Sequence, residues 1–179
     1  SSAASDVYKR QGLISEAFLG TPYAANKLQG SLSTPEQLVV DFRGLDCFTY
    51  LDYVEALRQS AAQPDFMKNL LRTRYVDGDL DFLSRKHFYT DWAYSGTYKP
   101  AQDITAQISA HAVRREKRLN QKADGSTYLP GLPVVQRTVT YIPAGFIDKK
   151  VINRLHEGDF IGIYTPLAGL DVTHVLSLI

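Results

Sequence analysis

The amino-acid sequence predicts an α+β domain in which helices come first and an antiparallel sheet follows. The segment from Cys47 to about Ala61 has an apolar residue at every third position from Phe48 to Leu57, which marks one helical face. The stretch DFMKNLLRTRY is predicted to be a second helix, closed by DGD. Near the end of the chain, EGDFIGIYTP and LDVTHV are predicted strands joined by LAG. This order favours an α+β architecture over an alternating parallel sheet.

The middle of the chain gives weaker signals. LPGLPVVQRTVTYIPAG predicts a strand around Val139 to Ile142, because Pro and Gly bound a β-branched run. FIDKKVINRLH is predicted to be a short helix. DITAQISAHAVRREKRLNQKADG fits either a strand or a helix, and its basic run RREKR is most simply a solvated face. LDFLSRKHFYTDWAYSG has no clean period, so no regular element is predicted there.

Both ends of the chain have the character of a cloning or sequencing scar. YKRQ, near the start, and LSLI, at the end, can be encoded by DNA strings that are reverse complements of each other. One adaptor translated at both ends of a DNA fragment would give that relation, and such segments are set aside in fold reasoning. We therefore predict that residues 1–11 and 176–179 are adaptor-derived and that residues 12–175 form one incomplete domain.

Composition and charge restrict the classes of function. The chain has 179 residues, 44% of them apolar, and a formal net charge of +1. These are ordinary values for a globular domain, and they give no indication of nucleic acid or an anionic membrane as a partner. No apolar run approaches the roughly 20 residues of a membrane span. The single cysteine excludes an internal disulfide framework and a cysteine-rich metal site.

That cysteine, Cys47, lies at the predicted start of a helix. Unpaired backbone N–H groups and the helix dipole stabilise a thiolate there and lower the thiol pKa. Asp46 is placed to cap the same helix. Cys47 is therefore a candidate nucleophile, and the alternative is a buried structural cysteine.

A cysteine nucleophile needs a histidine nearby in space, and the chain offers four. His156 follows a predicted helix and His111 lies beside the basic run, so both are expected to be solvated. His87 lies in the polar and aromatic segment, where it is placed to bind a substrate. His174 lies within a predicted strand, which holds a side chain rigidly, as a base requires. The alternative for His174 is a half-buried histidine without a catalytic role.

Several motifs, in order, match a known family. They are FLGTPY, DCFTYLDYVEAL, RYVDGDLDFLSRKHFYTDW, DIT, DGSTYLPGLPVV, YIP and GLDVTHV. Together they span nearly all of residues 12–175. On these motifs the chain resembles the N-acetylmuramoyl-L-alanine amidase-like branch of the NlpC-type cell-wall hydrolases, which have a papain-like fold.

The resemblance implies an α+β papain-like core that is truncated here before its last strands. It also implies that Cys47 is the nucleophile, that His174 is the base, and that Tyr23 lies in the active site, where its hydroxyl would help to hold an oxyanion. The family orients its histidine with a third polar residue on a later strand, which would lie beyond the end of this chain. No metal or cofactor is implied.

The motif SRKHFYTDW supplies the predicted substrate-binding residues. Trp92, the only tryptophan, is expected to stack on a sugar ring, and Arg85 is expected to pair with a carboxylate. The alternatives are a core aromatic residue and a surface salt bridge. Ser84 and His87 lie in the same motif, and Asp46 is expected to cap its helix, to bind a substrate amine, or to do both.

The sequence thus predicts a cysteine amidase, periplasmic or secreted, that acts on peptidoglycan fragments. The predicted scissile bond joins N-acetylmuramic acid to L-alanine. One alternative is an endopeptidase that cuts the γ-D-glutamyl–diamino-acid bond with the same nucleophile. A second is a non-catalytic cell-wall-binding module with the same fold, and a third is a lipid acyltransferase.

Overall fold

A computed structural model of the protein describes residues 28, 30–38, 47–60 and 65–178. In these parts of the chain, four helices precede the first of two antiparallel hairpins and a fifth lies between the hairpins, which confirms the predicted α+β class. The strands form two separate two-stranded sheets, where the sequence predicted one antiparallel sheet. The helices are α1 (Cys47–Gln59), α2 (Phe66–Arg74), α3 (Asp91–Tyr94), α4 (Thr105–Ile108) and α5 (Lys149–Asn153), and the strands are β1 (Val113–Leu119), β2 (Val135–Tyr141), β3 (Phe160–Tyr164) and β4 (Val172–Ser177). Short 3-10 turns occur at Val76–Gly78, Phe82–Ser84 and Ala144–Phe146. The papain-like arrangement stays a prediction.

The two segments predicted to be helical are helices α1 and α2, and these helices pack against each other. Asp65 caps α2 because its side chain accepts a hydrogen bond from the Lys68 N–H. Tyr53 and Ala56 of α1 pack against Leu70 of α2 in a buried apolar cluster. Helix α1 is buried on more than its predicted apolar face, since polar side chains within it are buried as well. It is therefore a central helix, surrounded by the rest of the domain.

A buried ion pair fixes α2 onto α1. The Arg74 Nε atom lies 2.8 Å from the Asp52 Oδ2 atom, and neither side chain is more than 2% exposed. Burial by itself lowers the pKa of Arg74, but the charge and the hydrogen bond of Asp52 outweigh it and hold the pKa above its usual value. The guanidinium therefore stays charged within the core.

The ambiguous segment after residue 102 forms α4 and then β1. Strand β1 pairs antiparallel with β2, in a register that sets Val113 opposite Tyr141 and Leu119 opposite Val135. Four residues of the run RREKR are exposed, as predicted, but Lys117 is 8% exposed. The solvated-face prediction is wrong for Lys117, because this residue and Leu119, two positions further on the same face of β1, both turn inward.

Lys117 joins the first hairpin to the connection between β3 and β4. Its Nζ atom donates to the carbonyl oxygens of Thr165 at 2.9 Å and Leu167 at 2.8 Å. The same ammonium lies over the ring of Tyr164, 5.2 Å from the centroid. The burial of this lysine is thus compensated by hydrogen bonds across the two hairpins.

Asn120 makes a second connection between the hairpins. It is fully buried with a φ of +80°, and its amide side chain exchanges hydrogen bonds with the backbone N–H and C=O of Leu129. Its own N–H donates to the carbonyl of Gly169 at 2.8 Å. Tyr128 donates its hydroxyl hydrogen to the carbonyl of Ala168 at 3.0 Å. The loop after β1 therefore holds the β3–β4 connection in place.

Strands β3 and β4 pair antiparallel with an irregularity near the start of β4. Tyr164 lies opposite Val172 and Ile163 lies opposite His174, so Thr173 is the extra residue of a β-bulge. None of the described helices has the length and apolar character needed to cross a membrane.

Candidate active site

The first helix in the described part of the chain begins at Cys47, where the sequence predicts a helix start. Its backbone therefore lies in the first turn, where N–H groups lack helical partners. The side chain of Cys47 and the whole of Tyr23 and Asp46 lie outside the described residues. The catalytic role of Cys47, the oxyanion role of Tyr23 and the capping or amine-binding role of Asp46 stay predictions.

The helix that Cys47 starts packs against the strand that carries His174. Leu51 lies one helical turn after Cys47, on the same side of α1. Leu51, Trp92 and Val175 form one buried cluster, in which none is more than 4% exposed. Because Val175 directly follows His174 in β4, this cluster holds the backbones of the two predicted catalytic residues on adjoining elements.

The bulge sets the direction of the His174 side chain. Val172 and Val175 both pack toward the core cluster, whereas His174 is exposed. Its register partner Ile163 is also exposed. An uninterrupted strand would place Val172 and Val175 on opposite faces, so the extra residue Thr173 allows both to point inward. The assignment of His174 as the base stays a prediction.

Asp171, which the sequence analysis did not single out, fixes the start of β4. This buried carboxylate accepts hydrogen bonds from the Thr90 N–H at 2.9 Å, the Thr90 hydroxyl at 2.7 Å and the Val172 N–H at 2.7 Å. Arg137 in turn donates to the Thr90 hydroxyl and to Asp91. The motif GLDVTHV contains a feature that points to this role, because in it Asp171 directly precedes the predicted strand.

Arg85 pairs with a carboxylate of the protein itself. Its Nη1 atom donates to Glu36 Oε1 at 2.9 Å, and the Glu36 side chain is 1% exposed. The Tyr75 hydroxyl donates to the same oxygen at 2.7 Å, and burial followed by that bond raises the pKa of Tyr75. The alternative prediction for Arg85 was a surface salt bridge. Arg85 does make a salt bridge, but both side chains of the pair are largely buried. Ser84 donates to Asp79 at 3.0 Å.

Trp92 has the position of a core aromatic residue. It is 1% exposed, and its ring meets Phe160 edge-on at 5.4 Å between centroids. It also packs between α1 and β4 through Leu51 and Val175. Its ring would have to be uncovered before it could stack on a sugar. This position therefore corresponds to the alternative prediction, in which Trp92 is a core aromatic residue.

His87 holds a turn of the backbone. Its Nε2 atom lies 2.7 Å from the carbonyl oxygen of Phe82, so this nitrogen carries the hydrogen and donates it. The imidazole also contacts the Phe82 ring edge-on, at 4.8 Å between centroids. Burial lowers the pKa of His87, against the opposite effect of the Phe82 bond. Both contacts are within the protein, and the predicted role in substrate binding stays a prediction.

The lowered pKa of His87 predicts a pH dependence of stability. Above about pH 6.5, the ordinary value for histidine, the contribution of neutral His87 is fully present. As the pH falls below that value, the unfolded chain takes up a proton that the folded protein disfavours, so the free energy of unfolding decreases. We expect urea titrations between pH 7 and pH 5 to show this decrease, and His87→Gln to show a smaller one. His111→Gln is the matched control, and an unchanged pH slope in His87→Gln would contradict the assignment.

The remaining predicted features concern metals and the other histidines. Within the described ranges, no three His, Cys, Asp or Glu side chains are grouped so that they could hold a metal ion. His111 stacks on the Phe146 ring at 4.0 Å between centroids. It therefore packs against an apolar neighbour, although it is exposed as predicted.

Comparison with known proteins supplies the family. A model of the N-acetylmuramoyl-L-alanine amidase-like family matches residues 13–178. The chain belongs to this family. The resemblance inferred from the sequence motifs is thereby confirmed. Among curated proteins, none matches this amidase-like chain.

Solved structures agree with the family assignment. The chain is similar to an N-acetylmuramoyl-L-alanine amidase from Bacteroides uniformis, with 25% identity and a TM-score of 0.76, over 95% of this chain and 79% of that one. It also shares its fold with a Legionella pneumophila protein at 22% identity and a TM-score of 0.75, over 96% of this chain and 73% of that one.

Proposed function

We propose that this amidase-like protein is a cysteine amidase that cleaves the bond between N-acetylmuramic acid and L-alanine in peptidoglycan fragments. Cys47 is the nucleophile and His174 is the general base. The core is of the papain-like, NlpC type, and the enzyme works in the periplasm or outside the cell, where peptidoglycan is found. The proposed mechanism uses no metal ion or cofactor.

The reaction has two steps. His174 accepts the Cys47 thiol proton, and the thiolate sulfur attacks the carbonyl carbon of the lactyl–alanine amide. The C–N bond breaks, His174 protonates the departing amine of L-alanine, and the muramoyl group remains as a thioester. Water then attacks the thioester with His174 as base, which releases the muramoyl carboxylate and restores the thiol. Backbone N–H groups at the start of α1, with the Tyr23 hydroxyl, would hold the oxyanion in both steps.

One observation carries most of the support for this proposal. The buried cluster of Leu51, Trp92 and Val175 packs the helix that begins at Cys47 against the strand that contains His174. The two residues are far apart in sequence, and this packing sets the elements that carry them side by side, as the proposed reaction requires. The Asp171–Thr90 hydrogen bonds support the same strand from its first residue.

Muropeptide digestion with mass analysis of the products tests the scissile bond. The proposal expects free stem peptides that keep L-alanine at their amino terminus, together with peptide-free glycan. Products that lack the L-alanine–D-glutamate dipeptide would overturn the bond assignment in favour of the endopeptidase alternative. A matched digestion with Cys47→Ala distinguishes the enzyme's products from background hydrolysis.

The same protein tests the binding-module alternative. Cys47 is the only cysteine, so one alkylation event reports on it alone. A low-pKa thiolate reacts with iodoacetamide near neutral pH. A Cys47 thiol that stays unreactive there, with no muropeptide product, would contradict the proposal and favour a cell-wall-binding module.

A further inference from the structure

Two clefts meet at Tyr94, and neither Cys47 nor His174 is among the residues that line them. The first cleft, of about 540 Å³, has a mixed lining in which Lys99, Gln102 and Asp103 supply the polar side chains beside alanine and proline residues. The second, of about 380 Å³, is lined by the outer face of β1 and β2, including Arg114. Tyr94 lines both clefts. Volumes of this order suit small-molecule or single-sugar ligands.

Helix α3 presents Tyr94 to these clefts in a fixed orientation. Trp92 of the same short helix is buried, whereas Tyr94 is 46% exposed. The Tyr94 hydroxyl donates to Asp103 Oδ2 at 2.8 Å, and the Arg137 guanidinium lies over its ring at 5.6 Å from the centroid. Burial and then the bond to Asp103 raise the pKa of Tyr94 to about 12, so the hydroxyl remains a donor at neutral pH. The ring is thus held at the junction of the clefts.

The second cleft contains an arginine that the described part of the protein does not use. Arg137 is engaged by Thr90 and Asp91. Arg114 is exposed and has no hydrogen-bond or ion-pair partner among the described residues, although it lies near enough to Tyr94 to affect its pKa. A guanidinium in this position is suited to a carboxylate from a ligand.

We propose that the junction at Tyr94 binds peptide-free glycan next to the cleaved unit, an N-acetylated amino-sugar chain whose lactyl carboxylates are free because their stem peptides have been removed. The inference rests on the proposed function and extends it to the glycan. The apolar face of a sugar ring stacks on Tyr94, as apolar surfaces do on an amphipathic aromatic residue. Lys99, Gln102 and Asp103 bind its hydroxyl or amide groups, and Arg114 pairs with a carboxylate.

Helix α3 also explains how this site is connected to the proposed reaction. Its Trp92 packs against Leu51 and Val175, which belong to the elements that carry Cys47 and His174. Tyr94, which lines both clefts, follows Trp92 by two positions in this helix. Tyr94 takes the sugar-stacking role that the sequence analysis assigned to Trp92.

Equilibrium binding to two peptide-free glycans tests this inference. The first is a chain of alternating N-acetylglucosamine and N-acetylmuramic acid, which carries lactyl carboxylates. The second is a chitin oligosaccharide of the same length, which carries none. Because neither glycan has a stem peptide, binding is measured without turnover. We expect the wild-type protein to bind the carboxylate-bearing chain more tightly.

Three variants separate the contributions. Tyr94→Ala is expected to weaken binding of both glycans about tenfold, which is the effect of losing one aromatic contact. Tyr94→Phe keeps the aromatic ring and is expected to keep most of the affinity. Arg114→Gln is expected to remove only the preference for the carboxylate-bearing chain. Arg115→Gln, an exposed neighbour on the same strand, is the matched control and should keep that preference. Thermal unfolding of each variant establishes that it is folded.

The outcomes distinguish this inference from the proposed function. Wild-type affinity in folded Tyr94→Ala, or no glycan binding by wild-type protein that still digests muropeptides, would overturn the glycan site alone. Equal binding of both glycans by wild-type protein would overturn the role of Arg114. Glycan binding as expected without any muropeptide product would support the site and count against the amidase.

Discussion

Cys47→Ala is expected to reduce muropeptide hydrolysis to the background rate, because the thioester cannot form without the sulfur. His174→Ala is expected to lower the rate by about 10²- to 10⁴-fold, the usual contribution of a general acid–base group. Both rates are measured by the release of stem peptide from purified muropeptides. His111→Ala and His156→Ala are matched controls, because the proposal gives these histidines no role in the reaction.

Alkylation supplies a readout that loss of folding would not imitate. In wild-type protein, a protonated His174 near the Cys47 sulfur would lower the thiol pKa and favour reaction near pH 6.5. In His174→Ala the rate of alkylation at that pH should fall and should recover at higher pH, where an ordinary thiol ionises. An unchanged pH profile in His174→Ala would show that this histidine does not act on Cys47.

Arg74→Met is expected to lower the free energy of unfolding by about 3–5 kcal/mol. The substitution leaves the Asp52 carboxylate charged within the core, where both side chains of the pair are at most 2% exposed. Urea denaturation monitored by circular dichroism measures the change. The control is Arg118→Met, an exposed arginine whose side chain donates to nearby Gln121 and which should change stability by no more than about 0.5 kcal/mol.

A second substitution at the pair tests the physical reason for that loss. Asp52→Leu combined with Arg74→Met removes both charges and fills the space with apolar atoms. Replacing a whole buried ion pair costs less than breaking it, so the double variant should be more stable than Arg74→Met alone. A double variant that is less stable than Arg74→Met would contradict the assignment of the cost to a buried Asp52 carboxylate that has lost the charge of Arg74.

The regular elements were predictable where the apolar residues recur with a clear period. Helices α1 and α2, strand β2 and the final hairpin follow from such patterns, and Asp65 caps α2 through a local contact. The segment between Tyr75 and Thr105 was not predictable in the same way. Its turns are held by partners distant in sequence, as in the bonds from Arg85 to Glu36 and from Thr90 to Asp171.

The candidate site was predictable in part. The cysteine at a helix start and the histidine in a strand came from spacing, and the family assignment came from ordered motifs. The position of Trp92 was not predictable, because its residue type alone does not distinguish a core aromatic from a sugar platform. Lys117 was missed because it lies in a charged run, and only strand alternation and contact with a later loop reveal its burial.

The bonds of Lys117, Asn120 and Tyr128 to the β3–β4 connection have a consequence for the dynamics of the protein. Local opening of either hairpin must break contacts made by the other, so the two hairpins belong to one cooperative unit. We therefore expect amide hydrogen exchange to show similar protection in the strand with His174 and in the hairpin of β1 and β2. A loop that is remote in sequence thus helps to keep the backbone of the strand with His174 in its native position.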